Sequence, residues 1–347
     1  MSKERTEISS LGEFGLIDHL TKNIELQNAS SVLGVGDDAA VIDHFGKQTV
    51  ITTDLLLEGV HFDLVYTPLK HLGYKSVIVN LSDVYAMNAI PTQVIMSIGI
   101  SNRFSVEAID EFYEGVYAAC NKYGVDLVGG DTTSSQKGLV ISVTAIGEVT
   151  PDTYVKRSTA KKGDLLCVSG DLGAAYVGLL FLEREKKIYM ESPGVQPDLE
   201  GESYVIGRLL KPEARKDIVE FFAKEEIQPT AMIDISDGLS SEILHICKES
   251  ALGCVLYEEK IPIAEEMKKA AFKFEIDPTA CALSGGEDYE LLFTIAQSDY
   301  EKLVLNEQIS VVGYMTEPDQ GAHIITKGGG KHAITAQGWN HLKQNNS

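Results

Sequence analysis

Aspartates recur along this chain in short clusters with glycine or hydroxyl residues: Gly36-Asp37-Asp38, Thr52-Thr53-Asp54, Gly130-Asp131-Thr132 and Asp234-Ile235-Ser236-Asp237-Gly238. A further one, Asp83, interrupts an otherwise apolar helical pattern beside Asn80. Any one of these has an ordinary reading, because Asp and Gly favour turns and helix caps. All of them together point to chemistry. Like-charged carboxylates 4 Å apart repel by about 4 kcal/mol at an effective dielectric of 20, and no matching set of Lys and Arg flanks the clusters. The donors on offer are carboxylate and hydroxyl oxygens, which suit a hard cation. Mg²⁺ fits best, since it is usually held by a few carboxylates together with the phosphates of a substrate. The implied chemistry is cation-dependent handling of phosphates.

Other residues carry two readings each. His61, seven positions after Asp54, is either a packed surface histidine or a ligand contact. Arg157 in Lys156-Arg157-Ser158 is either a solvated turn or a phosphate contact. Glu287 follows Gly285-Gly286, where a glycine pair lets backbone approach a ligand. Trp339, the only tryptophan, either anchors the tail or stacks on an aromatic ligand. Two motifs are decoys. Gly34-Val35-Gly36-Asp37-Asp38-Ala39 fits a loose dinucleotide fingerprint, but its aspartates would repel a pyrophosphate. Gly328-Gly329-Gly330-Lys331 lacks the leading glycine and the closing Ser or Thr of a phosphate loop and reads as a surface turn.

The elements that must position these residues alternate in type. A capping-box spacing from Ser10 to Glu13 predicts a helix near 11–22, followed by strands at Ser31–Asp43 and Gln48–Leu57. Thr67-Pro68 opens a helix with Leu72, Val77, Ile78, Leu81, Val84 and Tyr85 at apolar positions. Strand Val94–Ile100, a helix from Ser105 to about Tyr123, and strands Val125–Val128 and Leu139–Val149 complete the first half. Turn signals between Glu148 and Gly163 mark a domain boundary, giving domains 1–150 and 151–347. Beyond it the pattern predicts strands Asp164–Ser169, Ala231–Ile235, Cys254–Tyr257, Tyr289–Ile295 and Ile309–Tyr314, and helices Ala174–Arg184, Glu213–Lys224 and Leu239–Glu249. The stretch 185–203, with two prolines and no periodicity, reads as a loop. The aspartate clusters then stand at the ends of strands, where ligands of α/β folds sit, so that they can converge on one crevice.

At 347 residues the chain is long enough for two domains with separate cores. Its net charge of -21 argues against nucleic acid or an anionic membrane as partner. Five cysteines without Cys-x-x-Cys spacing read as reduced core residues, which disfavours a disulfide framework or structural zinc. With no signal-type leader and no long apolar run, a cytoplasmic location is the expectation.

Taken together, Gly12-Glu13-Phe14, Gly34 to Ala39, Thr52-Thr53-Asp54 through His61-Phe62, Asn80-Leu81-Ser82-Asp83, Gly129-Gly130-Asp131-Thr132-Thr133, Arg157-Ser158, Ile233 to Leu239 and Leu283 to Glu290 resemble the thiamine-monophosphate kinase family of the aminoimidazole-ribotide-synthetase-like superfamily. The chain departs from the family pattern in the stretch 185–203 and in a Trp at 339. The resemblance implies a two-domain α/β protein. Its N-terminal domain would bind ATP and Mg²⁺ and dimerise, and its C-terminal domain would complete the active site. It also implies phosphorylation of thiamine monophosphate by ATP with several Mg²⁺ ions. Carried over position by position, Asp38, Thr52, Thr53, Asp54, Asp83, Asp131, Asp234 and Asp237 are the implied metal ligands. Gly130, Asp131, Arg157 and Ser236 are the implied nucleotide contacts, and His61, Glu287 and Trp339 the substrate contacts. The residues implied to act in catalysis are Asp54, Asp83, Asp131, Arg157, Asp234 and Asp237. An acceptor phosphate with a second pKa of ~6 is already largely anionic at pH 7 and needs no general base. The rivals are a superfamily enzyme acting on a purine-pathway ribotide, a selenophosphate synthetase, which would want a reactive Cys that is missing before Cys120, and a non-catalytic Mg-ATP sensor.

Overall fold

The computed structural model describes residues 19–33, 41–43 and 45–336. Most of the helix expected near 11–22, the Gly34–Ala39 motif with Asp38, and Trp339 lie outside the described residues. The chain divides into two compact units, Met1–Tyr154 and Val155–Ser347.

The first unit is built on a four-stranded sheet and two long helices. Strands β1 (Ser31–Leu33) and β2 (Val41–Ile42) form a small separate pair. The sheet has the order β3-β6-β4-β5, with β3 at Gln48–Leu57, β4 at Ile90–Ile100, β5 at Asp126–Ser134 and β6 at Val140–Val149. β3, β6 and β4 run antiparallel, and only β4 and β5 are parallel. The alternating α/β pattern of the sequence therefore does not yield a parallel sheet here. The ladder between β4 and β5 slips by one residue: Val94 faces Leu127 but Ile95 faces Gly129, which leaves Val128 as a bulge.

Helix α1 (Leu69–Ala86) begins directly after Pro68, which occupies the N-cap in extended backbone, φ -62° and ψ 138°. Helix α2 (Val106–Tyr123) is capped by the Ser105 side chain, which accepts from the Ala108 amide, and it ends at Gly124 with φ 69°. The two helices cross where Gly73 and Gly115 meet. A Cβ on Gly73 would strike the Phe112 carbonyl, and one on Gly115 the Lys70 carbonyl. That close approach buries α1 almost all round, including Asn80 and Ser82.

The second unit carries a seven-stranded sheet of order β13-β12-β9-β11-β7-β10-β8. Its strands are β7 (Leu165–Ser169), β8 (Ala231–Asp234), β9 (Gly253–Tyr257), β10 (Leu291–Ile295), β11 (Ile309–Thr316), β12 (Ala322–Ile325) and β13 (Lys331–Ala333). Leu166, Val168, Ile233, Leu256, Leu292 and Val312 of the sheet form one core with Ile243 and Ile246 of helix α6 (Leu239–Glu249). A second cluster joins α3 (Ala174–Glu191), α4 (Ser203–Leu210), α7 (Glu265–Phe272) and α8 (Pro278–Ser284). Helices α5 (Lys216–Lys224) and α9 (Tyr300–Leu303) complete the unit.

Three expectations are corrected. The stretch from Glu185 is not all loop, because α3 continues to Glu191 and stops at Ser192, the residue before Pro193. Glu185 is buried in that added turn, where it accepts from the Asp198 amide at 2.9 Å. Helices α4, α7 and α8 have no counterpart in the sequence reading. Strand β5 runs on to Ser134 rather than ending at Val128. Gly328, Gly329 and Gly330 lie in the turn of the β12–β13 hairpin, and Lys331 opens β13. The five cysteines are buried free thiols, and no helix among the described residues is long and apolar enough to cross a membrane.

Candidate active site

Residues of β3 alternate between the two faces of the first sheet, and this alternation sorts the candidate ligands. Thr52 and Asp54 face α1, which supplies Asn80 and Asp83 from adjacent positions on one side of the helix. The Thr52 hydroxyl donates to Asp83 Oδ2 at 2.6 Å. Asn80, fully buried, accepts from the Asp54 amide at 3.0 Å and donates to the Ser76 carbonyl at 3.1 Å. Burial, and then the neighbouring charge of Asp83, push the Asp54 carboxyl up to about 6. The pair is thus held together by the fold and made costly by its own charge.

Thr53 and Asp131 belong to the opposite face. The Thr53 hydroxyl donates to the Val143 carbonyl and accepts from Thr144, both at 3.0 Å. Leu55, Ser142, Ser97 and Asp131 stand in register across β3, β6, β4 and β5, and residues in register share a face. Asp131 is exposed there, on the far edge strand from Asp54. The strands do not end at these residues, as the sequence suggested, and within one chain Asp54 and Asp131 do not converge. Ile51 and Leu55 of β3 lie on this outward face, 65% and 53% exposed.

Gly130 is next to Asp131 for a steric reason. A Cβ at this position would overlap the Met96 carbonyl of the neighbouring strand. Gly130→Ala is expected to destabilise the protein by about 1–3 kcal/mol through forced displacement of β5. Chemical denaturation checks this, and an unchanged midpoint would show that the strand can yield.

His61 sits in the turn after β3, where Gly59 has φ 79°. Its Nδ1 accepts from the Leu57 amide at 3.0 Å, so the neutral ring carries its proton on Nε2.

In the second unit, β8 ends on the buried Asp234, and the turn Ser236-Asp237-Gly238 leads into α6 with Gly238 at φ 107°. Alongside runs the segment after α8. The Glu287 amide donates to the Ser236 carbonyl at 2.8 Å, and Gly286 lies so close that a Cβ would overlap the same oxygen. Asp234, Ser236, Asp237 and Glu287 are thereby brought into one neighbourhood. Arg157 is exposed, and its segment is tied down by the Met232 amide donating to the Lys156 carbonyl and by Ser250 donating to the Arg157 carbonyl.

Two residues of the site were not singled out from sequence. Asn80 was noticed only as a break in an apolar face, yet it fixes Asp54. Glu242, 2% exposed, accepts from the Asp237 amide at 3.1 Å. Burial pushes its carboxyl up to about 8, against the backbone amides that stabilise its charge and with Asp237 and Asp234 adding to the rise. Its position in the first turn of the helix after Asp237-Gly238 was the available signal.

Among the described residues, no three His, Cys, Asp or Glu side chains form a complete metal-binding group. The oxygen donors nevertheless suit Mg²⁺: a hydroxyl and two carboxylates in the first unit, one of them raised by burial and then by the other, leave positions for phosphate oxygens.

Residues 36–149 match the family model described as AIR synthase related protein, N-terminal domain. The chain is 35% identical over 335 residues to "Thiamine-monophosphate kinase" of Aquifex aeolicus, covering 96% of this chain and 99% of that protein. The solved structure "AaThiL complexed with AMPPCP and TMP" superposes with a TM-score of 0.73 at 33% identity, covering 99% of this chain and 100% of that one. A thiamine-monophosphate kinase from Stenotrophomonas maltophilia superposes with a TM-score of 0.77 at 31% identity, over 90% of this chain and 96% of the other.

Proposed function

Because this chain belongs to the thiamine-monophosphate kinase family, we infer that it transfers a phosphoryl group from ATP to thiamine monophosphate, giving thiamine diphosphate and ADP. It has the AIR synthase-like α/β fold, and it is a kinase. The observation that carries the residue-level reading is the Thr52–Asp54–Asp83 group, a half-buried pair of carboxylates in which burial and then the charge of Asp83 raise the Asp54 carboxyl.

In this reading several Mg²⁺ ions would be held, by Thr52, Asp54 and Asp83 on one face of the first sheet, by Thr53 and Asp131 on the other, by Asp234 and Asp237 of the second unit, and by Asp38. When bound, the metal supplies charge neutralisation between two polyanions. The chain's own residues do the rest. Gly130 lets the β5 backbone approach the nucleotide, and Asp131, Arg157 and Ser236 contact it. The Arg157 guanidinium offers paired N–H donors to phosphate oxygens. His61, presenting its Nε2–H, Glu287 and Trp339 contact thiamine monophosphate. No side chain need act as base, because the acceptor oxygen is already anionic, and the site motifs offer no histidine or cysteine nucleophile beside an orienting base of the sort covalent catalysis uses. Transfer is therefore direct and in line.

The same reading makes the protein a homodimer through its first unit. The outward face of the sheet, with Ile51 and Leu55 exposed on either side of Thr53 and Leu55 in register with Asp131, is the surface a second copy would cover. A cytoplasmic setting accords with five unpaired thiols.

Incubation with Mg-ATP and thiamine monophosphate, followed by product identification, tests the function. Thiamine diphosphate is expected, with unphosphorylated thiamine a poor acceptor and with inversion when ATP is chiral at the γ-phosphorus. Turnover of a purine-pathway ribotide instead would overturn the substrate, and retention at phosphorus would overturn the single displacement.

A further inference from the structure

Between α8 and β10 the chain adopts a conformation that side-chain-bearing residues avoid. Glu287 has φ 65° and Tyr289 φ 52°, both left-handed. Such residues persist only where their surroundings over-determine them. Part of the constraint is main-chain. Glu287 and Tyr289 donate to the carbonyls of Ser236 and Ile235 at 2.8 and 2.9 Å, and the Ile235 amide donates to the Glu290 carbonyl at 2.7 Å.

The rest is a buried clamp on the two intervening acids. Asp288, 1% exposed, accepts from the Gly173 amide at the start of α3 at 2.8 Å, and its other oxygen lies 3.9 Å from Arg208. Glu290, also 1% exposed, is gripped on both oxygens. Arg208 of α4 donates to Oε1 at 2.9 Å, while Arg215 before α5 and the Ser169 hydroxyl of β7 donate to Oε2, each at 2.6 Å. Ser169 in turn accepts from the Leu291 amide at 2.8 Å. Arg215 is itself anchored by two bonds to Asp217 at 2.9 and 2.7 Å. Gly170 leaves room for this, since a Cβ there would overlap the Glu290 carboxylate.

A buried ion pair is weak evidence for stability, because well-packed apolar residues often do as well. What this clamp fixes is more telling. It sets the path of residues 287–290, and through the Glu287–Ser236 and Glu290–Ile235 bonds it sets the Ser236–Asp237 turn as well. We propose that Asp288 and Glu290, with Arg208 and Arg215, are positioning residues that hold Glu287 against thiamine monophosphate. This rests on the reading of Glu287 as a substrate contact. A carboxylate held there suits the positive charge and amine hydrogens of the thiamine rings.

The test uses Arg215→Lys, which keeps the charge but cannot bridge Glu290 and Asp217 together, and Asp288→Asn, which keeps an acceptor for the Gly173 amide. Both are expected to raise KM for thiamine monophosphate about tenfold or more, with KM for ATP changed much less. Leu303→Ala, a buried truncation in α9, supplies a comparably destabilised control in which both constants stay near wild type. Adding Arg215→Lys to Glu287→Gln is expected to raise KM no further than Glu287→Gln alone, since both act through one contact. If Glu287→Gln raises KM while the clamp variants do not, the positioning role is overturned and the substrate contact stands. If Glu287→Gln leaves KM unchanged, the contact itself is wrong and the clamp has nothing to position. Should Arg215→Lys fail to fold, Ser169→Ala, which removes one donor from Glu290, takes its place with the same expected result.

Discussion

Asp83→Asn is expected to lower kcat by about a thousandfold or more, and Asp54→Asn by a similar amount, while neither lowers the melting temperature of the metal-free protein. The asparagine keeps an oxygen for the Thr52 hydroxyl, which donates to Asp83 at 2.6 Å, so the local bonding survives. What disappears is one of two like charges. Without Asp83 the Asp54 carboxyl loses a neighbour that helps to raise it, leaving burial as the main cause. The apo protein should therefore be as stable as wild type or more so, and loss of activity and loss of stability come apart. Kinetics and thermal melts of the same preparations check this. A large drop in melting temperature with activity retained would show these aspartates to be structural after all.

Chelation is the second large effect. In EDTA, affinity for ATP is expected to fall by about a hundredfold or more, because a polyphosphate placed near unscreened carboxylates meets repulsions of about 4 kcal/mol per pair at 4 Å. Net charge works in the same direction, at -21 for the whole chain. Isothermal titration with ATP, in Mg²⁺ and in EDTA, measures the ratio. Equal affinities would mean that the acidic groups do not face the nucleotide. The Asp83→Asn variant offers an internal comparison, since its smaller charge should narrow the gap.

Much of the frame that carries these groups was legible in the sequence. Strand β3 matches its expected bounds, and α2 begins and ends where Ser105 and Gly124 place it, because cap chemistry is local. The faces were less legible. Period-2 alternation already separates Thr53 from Thr52 and Asp54, but assigning Asp131 to a face requires the register across β6 and β4 and the bulge in β5, which no local pattern encodes. The role of Asn80 depends on α1 lying over β3. A buried amide in an apolar helix reads as an interruption until its partner strand is known. Glu242 was hidden for the opposite reason, since an acid in the first turn of a helix is ordinary surface chemistry, and only its burial distinguishes it. The added turn of α3 was missed because Pro193 and Pro197 dominate the local signal, whereas the tie between Glu185 and Asp198 spans the loop they punctuate.

The bulge at Val128 has a bearing on how relatives of this protein can gain or lose residues. It is the one position in β5 where the chain has a residue to spare: Leu127 and Gly129 already pair with consecutive residues of β4. A lineage that dropped Val128 would give up a buried side chain but keep Gly129 against Ile95 and Asp131 against Ser97, with the carboxylate still on the outward face. A second deletion in the same stretch, once the spare residue is gone, would turn Asp131 over to the helix-covered side, because a shift of one residue in a strand exchanges its faces. In an alignment of homologues, then, one residue missing before Asp131 and two residues missing are different events: the first removes the bulge, and the second moves the Asp131 carboxylate to the other face without changing a single letter of Gly-Asp-Thr.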